Sequence, residues 1–351
     1  MKLLVKQNSQ GGIVVGNDKN LLGKTNDIVI DGFQYGACLR VQTHFHTDHT
    51  VGFSNSKKEH DIIMTEPTRQ LLATDSNSLD ILERPGIKGI NTNEEYIALN
   101  KLKVQLVNNA HVLGSCQVKI SNDLYSIGYS GDFYKPDKVI SVDHLIIDGS
   151  VAGIFRQRKF SREESIEALR SLISNNIGRV PIIIKAHSGL LEKIYYWISD
   201  VLRNIPRICD DKFYRSLEIH SDFGYEQINN IYKRGDSAGI EILKSNKYIR
   251  FLRQKEDSYG LEDKFIINCN RFSDNDDDPC KETKSGYSIS LTDHADINLT
   301  IDYIKRVNPS YVSVDRVRIG NSAKAKELLN YIKGELDVEI VELELLEDER
   351  F

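Results

Sequence analysis

The segment Thr43-His44-Phe45-His46-Thr47-Asp48-His49 puts three histidines and an aspartate within six residues, directly after the apolar run Leu39 to Thr43. Imidazole nitrogen and carboxylate oxygen are the ligands that zinc and similar borderline cations take up. His44 and His46 are two residues apart, so extended backbone points both the same way. Asp48 and His49 follow at once and need a turn to aim them at a second, nearby centre. A fold for this chain has to deliver the segment from a strand end and bring more ligands to it from elsewhere.

With 351 residues the chain has room for two lobes and ample apolar burial. Its 46 Lys and Arg against 51 Asp and Glu give a net charge of −5. This mildly acidic balance does not advertise nucleic-acid binding, although a local basic groove, helped by bound cations, would suffice. Cys38, Cys116, Cys209, Cys269 and Cys280 form no CxxC pair, which favours a reducing, intracellular setting. Met1 to Lys6 is too short an apolar run for a signal peptide, and no stretch approaches a membrane span. A cytoplasmic protein without membrane contact is expected.

To about residue 150 the pattern is strand-rich, with runs such as Gly12–Val15, Ile28–Ile30, Leu102–Val107, Ser115–Ile120, Leu124–Tyr129 and His144–Ile147. Ser161-Arg162-Glu163-Glu164 then opens a helix, and Val180–Ala186 is the continuous apolar run of a central parallel strand. Helices are expected over Leu190–Leu202 and Tyr225–Tyr232, so 155–270 forms an α/β lobe of its own. Beyond it come a strand at Tyr287–Leu291, a helix at Ile297–Val307, a strand at Tyr311–Val314, a helix at Ser322–Lys333 and a last strand at Val338–Leu343. Two strand ends offer further ligands, His111 in Ala110–Ser115 and Asp132 in Tyr129–Asp132. A carboxylate at such a place can bridge two ions about 3.5–4 Å apart.

Taken together, His44-x-His46-x-Asp48-His49, His111 in Ala-His-Val-Leu-Gly-Ser and Asp132 in Ser-Gly-Asp are similar to successive motifs of the metallo-β-lactamase fold. Leu145 to Ser150, with Asp148, resembles the acidic motif that opens the β-CASP branch of nucleases, and Ser290 to Asp296, with His294, resembles its Ser-x-His-x-Asp motif. The resemblance spans essentially the whole chain and is strongest to the compact 3′-end-processing and exonuclease type. It implies a four-layer αββα domain from 1–152 and 286–351, with an α/β β-CASP lobe inserted at 153–285. It also implies a zinc-dependent nuclease with one or two ions, hydrolysing phosphodiester bonds by metal-activated hydroxide. RNA is the expected partner, or else single-stranded DNA as in repair-type exonucleases. A homodimer and a non-catalytic nucleic-acid-binding paralogue are both open.

Residue by residue, the resemblance assigns His44, His46, His111 and Asp132 to a first metal, and Asp48, His49 and the shared Asp132 to a second. Asp48 would orient or deprotonate the attacking water, His294 would serve the scissile phosphate or leaving oxygen, and Asp148 would hold His294 in its tautomer. The family offers a last histidine after the strand that follows the Ser-x-His-x-Asp motif, whereas here the segment reads Tyr311-Val312-Ser313-Val314-Asp315-Arg316-Val317. By spacing, Arg316 takes that place. Arginine stays protonated and cannot ligate a metal, but its fork suits a phosphate. Arg156, Arg158 and Lys159, just past Asp148, are further candidates for contact with a nucleic-acid backbone.

Overall fold

The computed structural model describes residues 3–17, 26–76, 78–150, 159–201, 204–245, 247–256, 264–269, 278–320 and 322–346. Among them it is an α/β protein with three sheets, two of them mixed parallel and antiparallel throughout and the third largely parallel, and nine helices. Two compact units result: residues 1–156 with 294–351, and residues 157–293.

Unit 1 contains two sheets. The first has six strands in chain order: β1 (Leu4–Gln7), β2 (Ile13–Gly16), β3 (Ile28–Ile30), β4 (Leu39–Val41), β5 (Asp61–Thr65) and β6 (Ile87–Ile90). From β3 to β6 the pairing is parallel. The second sheet brings together β7 (Glu95–Ile97), β8 (Lys103–Asn108), β9 (Cys116–Ser121), β10 (Ser126–Tyr129) and β11 (His144–Ile147) with the late strands β19 (Tyr311–Val314) and β20 (Glu339–Ile340). Here β10, β11, β19 and β20 run parallel.

Strand alternation decides which side chains meet. Ile30, Val41 and Ile63 of the first sheet share one core with Val104, Val118, Tyr129 and Ile146 of the second. Leu145 and Ile147, the neighbours of Ile146, point to the opposite face and pack with Ile297, Ile301, Ile304, Leu328 and Ile332 from two helices. The helix Ile297–Val307 is specified locally. Asp296 caps its first turn by accepting from Leu299 N at 3.0 Å, and Asn308 ends it in the left-handed region at φ 52°. Burial of each such isoleucine stabilises the unit by about 1.5–3 kcal/mol.

Unit 2 is built on the third sheet: β12 (Ile182–Ala186), β13 (Arg207–Cys209), β14 (Ile231–Lys233), β15 (Ile249–Arg253), β16 (Phe265–Asn268), β17 (Cys280–Thr283) and β18 (Gly286–Ile289). Its order is β14-β13-β15-β12-β16-β18-β17, parallel except for the β17–β18 hairpin. Ser161 makes the expected capping box with Glu164. The helix expected over Tyr225–Tyr232 is absent: β14 begins at Ile231, and Asn230 at φ 46° breaks any helical path into it. The period-three spacing of Tyr225, Ile228 and Ile231 is what suggested a helix. The helix of this region is Asp211–Asp222, capped by Asp210 through Phe213 N at 2.6 Å. Among the described residues no helix is long and apolar enough to cross a membrane.

Candidate metal centre

The His44–His49 segment leaves β4 and turns at once. His49 N and Thr50 N both donate to His46 O at 3.1 Å, closing the turn that the spacing of Asp48 and His49 required. Two buried side chains form its floor: Gln42 Nε2 donates to His44 O at 2.7 Å, and Arg40 Nη2 donates to His49 O at 2.9 Å. Arg40 has only neutral acceptors, and burial lowers its guanidinium to about 9.

Asp31, at the end of the neighbouring strand β3, locks the segment from the side. Its carboxylate accepts from Thr43 N at 2.8 Å and from Thr43 Oγ1, and it lies 2.7 Å from His49 Nδ1. Thr43 Oγ1 is also 3.0 Å from His44 Nδ1. With the Nδ1 side of both rings engaged, each turns Nε2 inward. His44 Nε2 is buried with no hydrogen-bond partner among the described residues, and His49 Nε2 is buried 3.0 Å from Asp132 Oδ1.

The other groups arrive from strand ends of the second sheet. His111 follows β8 through Ala110, held at φ 62° by its own N–H donating to Asn108 Oδ1 at 2.8 Å. Asp132 follows β10 through Gly131 at φ 56°, where a Cβ would come within 2.9 Å of Cys116 O. Backbone in the left-handed region is costly for alanine and often marks a functional turn. Asp148 follows β11, its N–H bonded to Ser130 Oγ at 2.8 Å, and His294 begins the return of the chain to unit 1.

These placements converge on three groups: His44, His46, His111 and Asp132; Asp48, His49 and Asp132; and Asp132, Asp148 and His294. Within each, the ligand-type atoms lie within 4.8 Å of one another. Atoms bound about 2.0–2.2 Å from one tetrahedral zinc stand about 3.3–3.6 Å apart. In the first group His46 Nδ1 is 3.2 Å from His111 Nε2, and Asp132 Oδ2 is 3.6 Å from both His44 Nε2 and His111 Nε2. In the second, His49 Nε2 is 3.0 Å from Asp132 Oδ1 and 3.6 Å from Asp48 Oδ2. The inward nitrogen of His44 and these separations fit a resident divalent ion.

Electrostatics set the groups of the cluster apart. Burial and the neighbouring imidazoles of His49 and His46 push His44 well below the usual histidine range. Burial and Arg318 work against protonation of His49, but Asp132 and Asp31 outweigh them and hold it at about 10. Burial alone would raise Asp132, yet the imidazoles of His49 and His294 keep its carboxyl well below the ordinary range. Burial and the Asp132 charge raise Asp148. Its Oδ2 is 3.5 Å from His294 Nδ1, while His294 Nε2 faces Asp132 Oδ2 at 3.9 Å. Ser150 joins this pair, donating to Asp148 Oδ2 at 3.1 Å.

Of the residues proposed for nucleic acid, Lys159 is exposed, while Arg156 and Arg158 lie outside the described residues. Arg316 donates to Leu343 O at 2.8 Å and Ser322 Oγ at 2.9 Å. Of this segment, it is Arg318, two residues on, that joins Arg40 at the ligand turn, its Nη2 3.4 Å from Asp48 O. Sequence spacing did not reveal Arg318 or Asp31. Asp31 did carry a signal, since Ile28-Val29-Ile30-Asp31 repeats the apolar-run-then-aspartate pattern of Leu145 to Asp148.

No family model matches the chain. Over 132 residues it is 28% identical to an uncharacterized protein in the lig 3′ region of Acidianus ambivalens, a match covering 36% of this chain and 94% of that protein. The two are distantly related. The whole chain is similar in fold to a protein of unknown function from Enterococcus faecalis V583, with TM-score 0.62, 13% identity and 97% of each chain covered. Neither comparison names an activity. The buried His/Asp cluster itself resembles a metallo-β-lactamase site.

Proposed function

We propose that the chain is a metal-dependent nuclease of the four-layer metallo-β-lactamase fold carrying an inserted β-CASP lobe, with RNA as its substrate. The observation that carries this reading is the convergence of His44, His46, His111 and Asp132, four donors from three separate strand ends, beside the Asp148–His294 pair. Zinc is the expected metal from the ligand types. A bound divalent ion supplies Lewis acidity toward a phosphoryl oxygen and a lowered pKa for water.

The chain's own residues do the rest. Asp48, its side chain 62% exposed beside buried His49, can orient water and take its proton. Asp148 next to His294 Nδ1 favours the tautomer with the proton on Nδ1 in the neutral ring; in the protonated ring, Nε2–H faces the cluster and can protonate a leaving oxygen. Lys159, with Arg156, Arg158 and Arg316, is proposed to contact the phosphate backbone.

Cleavage of matched RNA and DNA oligonucleotides with added zinc or manganese tests the proposal. RNA cleavage that stops on chelation is expected. A strong preference for DNA would replace the RNA reading by a DNA exonuclease, which the position of the Acidianus ambivalens relative beside lig keeps as the second arm. Nucleic-acid binding with no cleavage and no metal would mean a non-catalytic paralogue. Hydrolysis of a lactone or thioester alone would turn the assignment to small molecules.

A further inference from the structure

We infer that the centre holds one tightly bound divalent ion, in the His44/His46/His111/Asp132 set, and that the Arg318 guanidinium, bonded to the backbone beside the Asp48/His49/Asp132 set, disfavours a second ion there. This rests on the metal-centre reading above and narrows it.

The two sets are unequal. The first has four donors, with His44, His111 and Asp132 buried; the second has three, of which one is shared and another, Asp48, is largely in solvent. Arg318 reaches the backbone that carries the second set rather than its ligand atoms. Its side chain is only 6% exposed, and Nη2 donates to Asp31 O at 3.0 Å and Asp48 O at 3.4 Å, so one guanidinium bridges the turn that braces His49 and the turn that carries Asp48. Nη1 donates to Gly11 O at 2.9 Å, Asp315 Oδ2 at 2.6 Å and Tyr129 OH at 3.3 Å, which fixes the group in place. A guanidinium stays protonated and offers no lone pair. Asp315 balances its charge on the Nη1 side, so what opposes a divalent ion is the local positive end at Nη2, which faces Asp31 O and Asp48 O.

The same arrangement removes the carboxylate that closes β19. Asp315 is fully buried, and its Oδ1 accepts from Gln7 Nε2 at 2.6 Å, Arg318 N at 3.0 Å and Val317 N at 3.1 Å. Its Oδ2 accepts from Tyr129 OH at 3.0 Å as well as from Arg318. Asp315 thus holds the arginine and is not available to complete a second ligand set.

The test is metal stoichiometry on the full chain, loaded with excess Zn²⁺, gel-filtered and measured by plasma emission. One zinc per chain is expected in the wild type and in Asp48→Ala, and none in His46→Ala combined with His111→Ala. Arg318→Leu, paired with Asp315→Asn so that no buried carboxylate is stranded, takes the Nη2 charge away from Asp48 O at no change in net charge and is expected to tighten a second zinc by only about a few-fold in titration. Two zinc ions in the wild type, falling to one in Asp48→Ala, would overturn the inference and leave the metal-centre reading standing. A single zinc that Asp48→Ala loses would put the ion in the other set and also overturn it. No zinc in the wild type would overturn both. Asp48 is exposed, so its variant decides the matter even where the double charge removal fails to fold.

Discussion

Asp132 in unit 1 and Asp293 in unit 2 are both buried carboxylates, and their surroundings differ in kind. Asp132 faces the imidazole nitrogens of His49, His44, His111 and His294 at 3.0, 3.6, 3.6 and 3.9 Å. Asp293 faces Lys193 Nζ at 3.0 Å and Arg162 Nη2 at 3.3 Å. Ammonium and guanidinium bring their own charge, so the unit 2 cluster is a closed ion pair whose formation offsets the cost of burial. Imidazole can stay neutral and lend a lone pair, so the unit 1 cluster can take up a cation from solution. The same residue type is structural in one unit and suited to ligate a metal in the other because of what stands opposite it.

The largest effect that could break this contrast is on turnover. Asp132→Asn removes the carboxylate common to all three groups, and under the proposed function phosphodiesterase activity is expected to fall by about 10³-fold or more, measured on the oligonucleotide cleaved by the wild type. Asp293→Ala is the matched change in unit 2. It takes the carboxylate from two partly buried cations and is expected to cost about 1–3 kcal/mol in chemical denaturation while zinc content stays unchanged. Loss of zinc in that variant would erase the distinction between the two carboxylates.

Asp31→Asn sharpens the comparison from behind the ligands. Asp31 fixes His49 and Thr43 without facing the ion, so the expected loss is about 10–100-fold in zinc affinity by competition with a chelator. The smallest effect is expected of Arg316→Gln, whose bonds to Leu343 O and Ser322 Oγ are worth about 1 kcal/mol together, with zinc affinity unaltered.

Much of the centre could be read from the chain because ligands must sit at strand ends, and strand ends leave local marks. The apolar runs before Thr43, Ser130 and Asp148 are visible in the sequence, and His44, His46, Asp48, His49, Asp132 and Asp148 follow them at once. Asp31 has the same mark but stands beside Gly32, and an Asp-Gly pair reads as a turn. Only the parallel pairing of β3 with β4 reveals that it faces Thr43 and His49. Arg318 was illegible for a different reason. Counting from His294 selects Arg316, but after β19 the chain turns, with Val317 N and Arg318 N both bonded to Asp315 Oδ1, and that turn sends Arg318 to the site. In unit 2 the helix expected at Tyr225–Tyr232 failed because apolar spacing of three carried the reading past Asn230, whose backbone has left the helical region.

The metal dependence of thermal stability tests the centre most directly. Metal-stripped wild type titrated with Zn²⁺ should gain about 2.7 kcal/mol at a free concentration one hundred times the dissociation constant, seen as a rise in Tm, and Asp132→Asn should show no such rise. Equal zinc-induced shifts in the two proteins, or none in either, would contradict a metal centre built on Asp132.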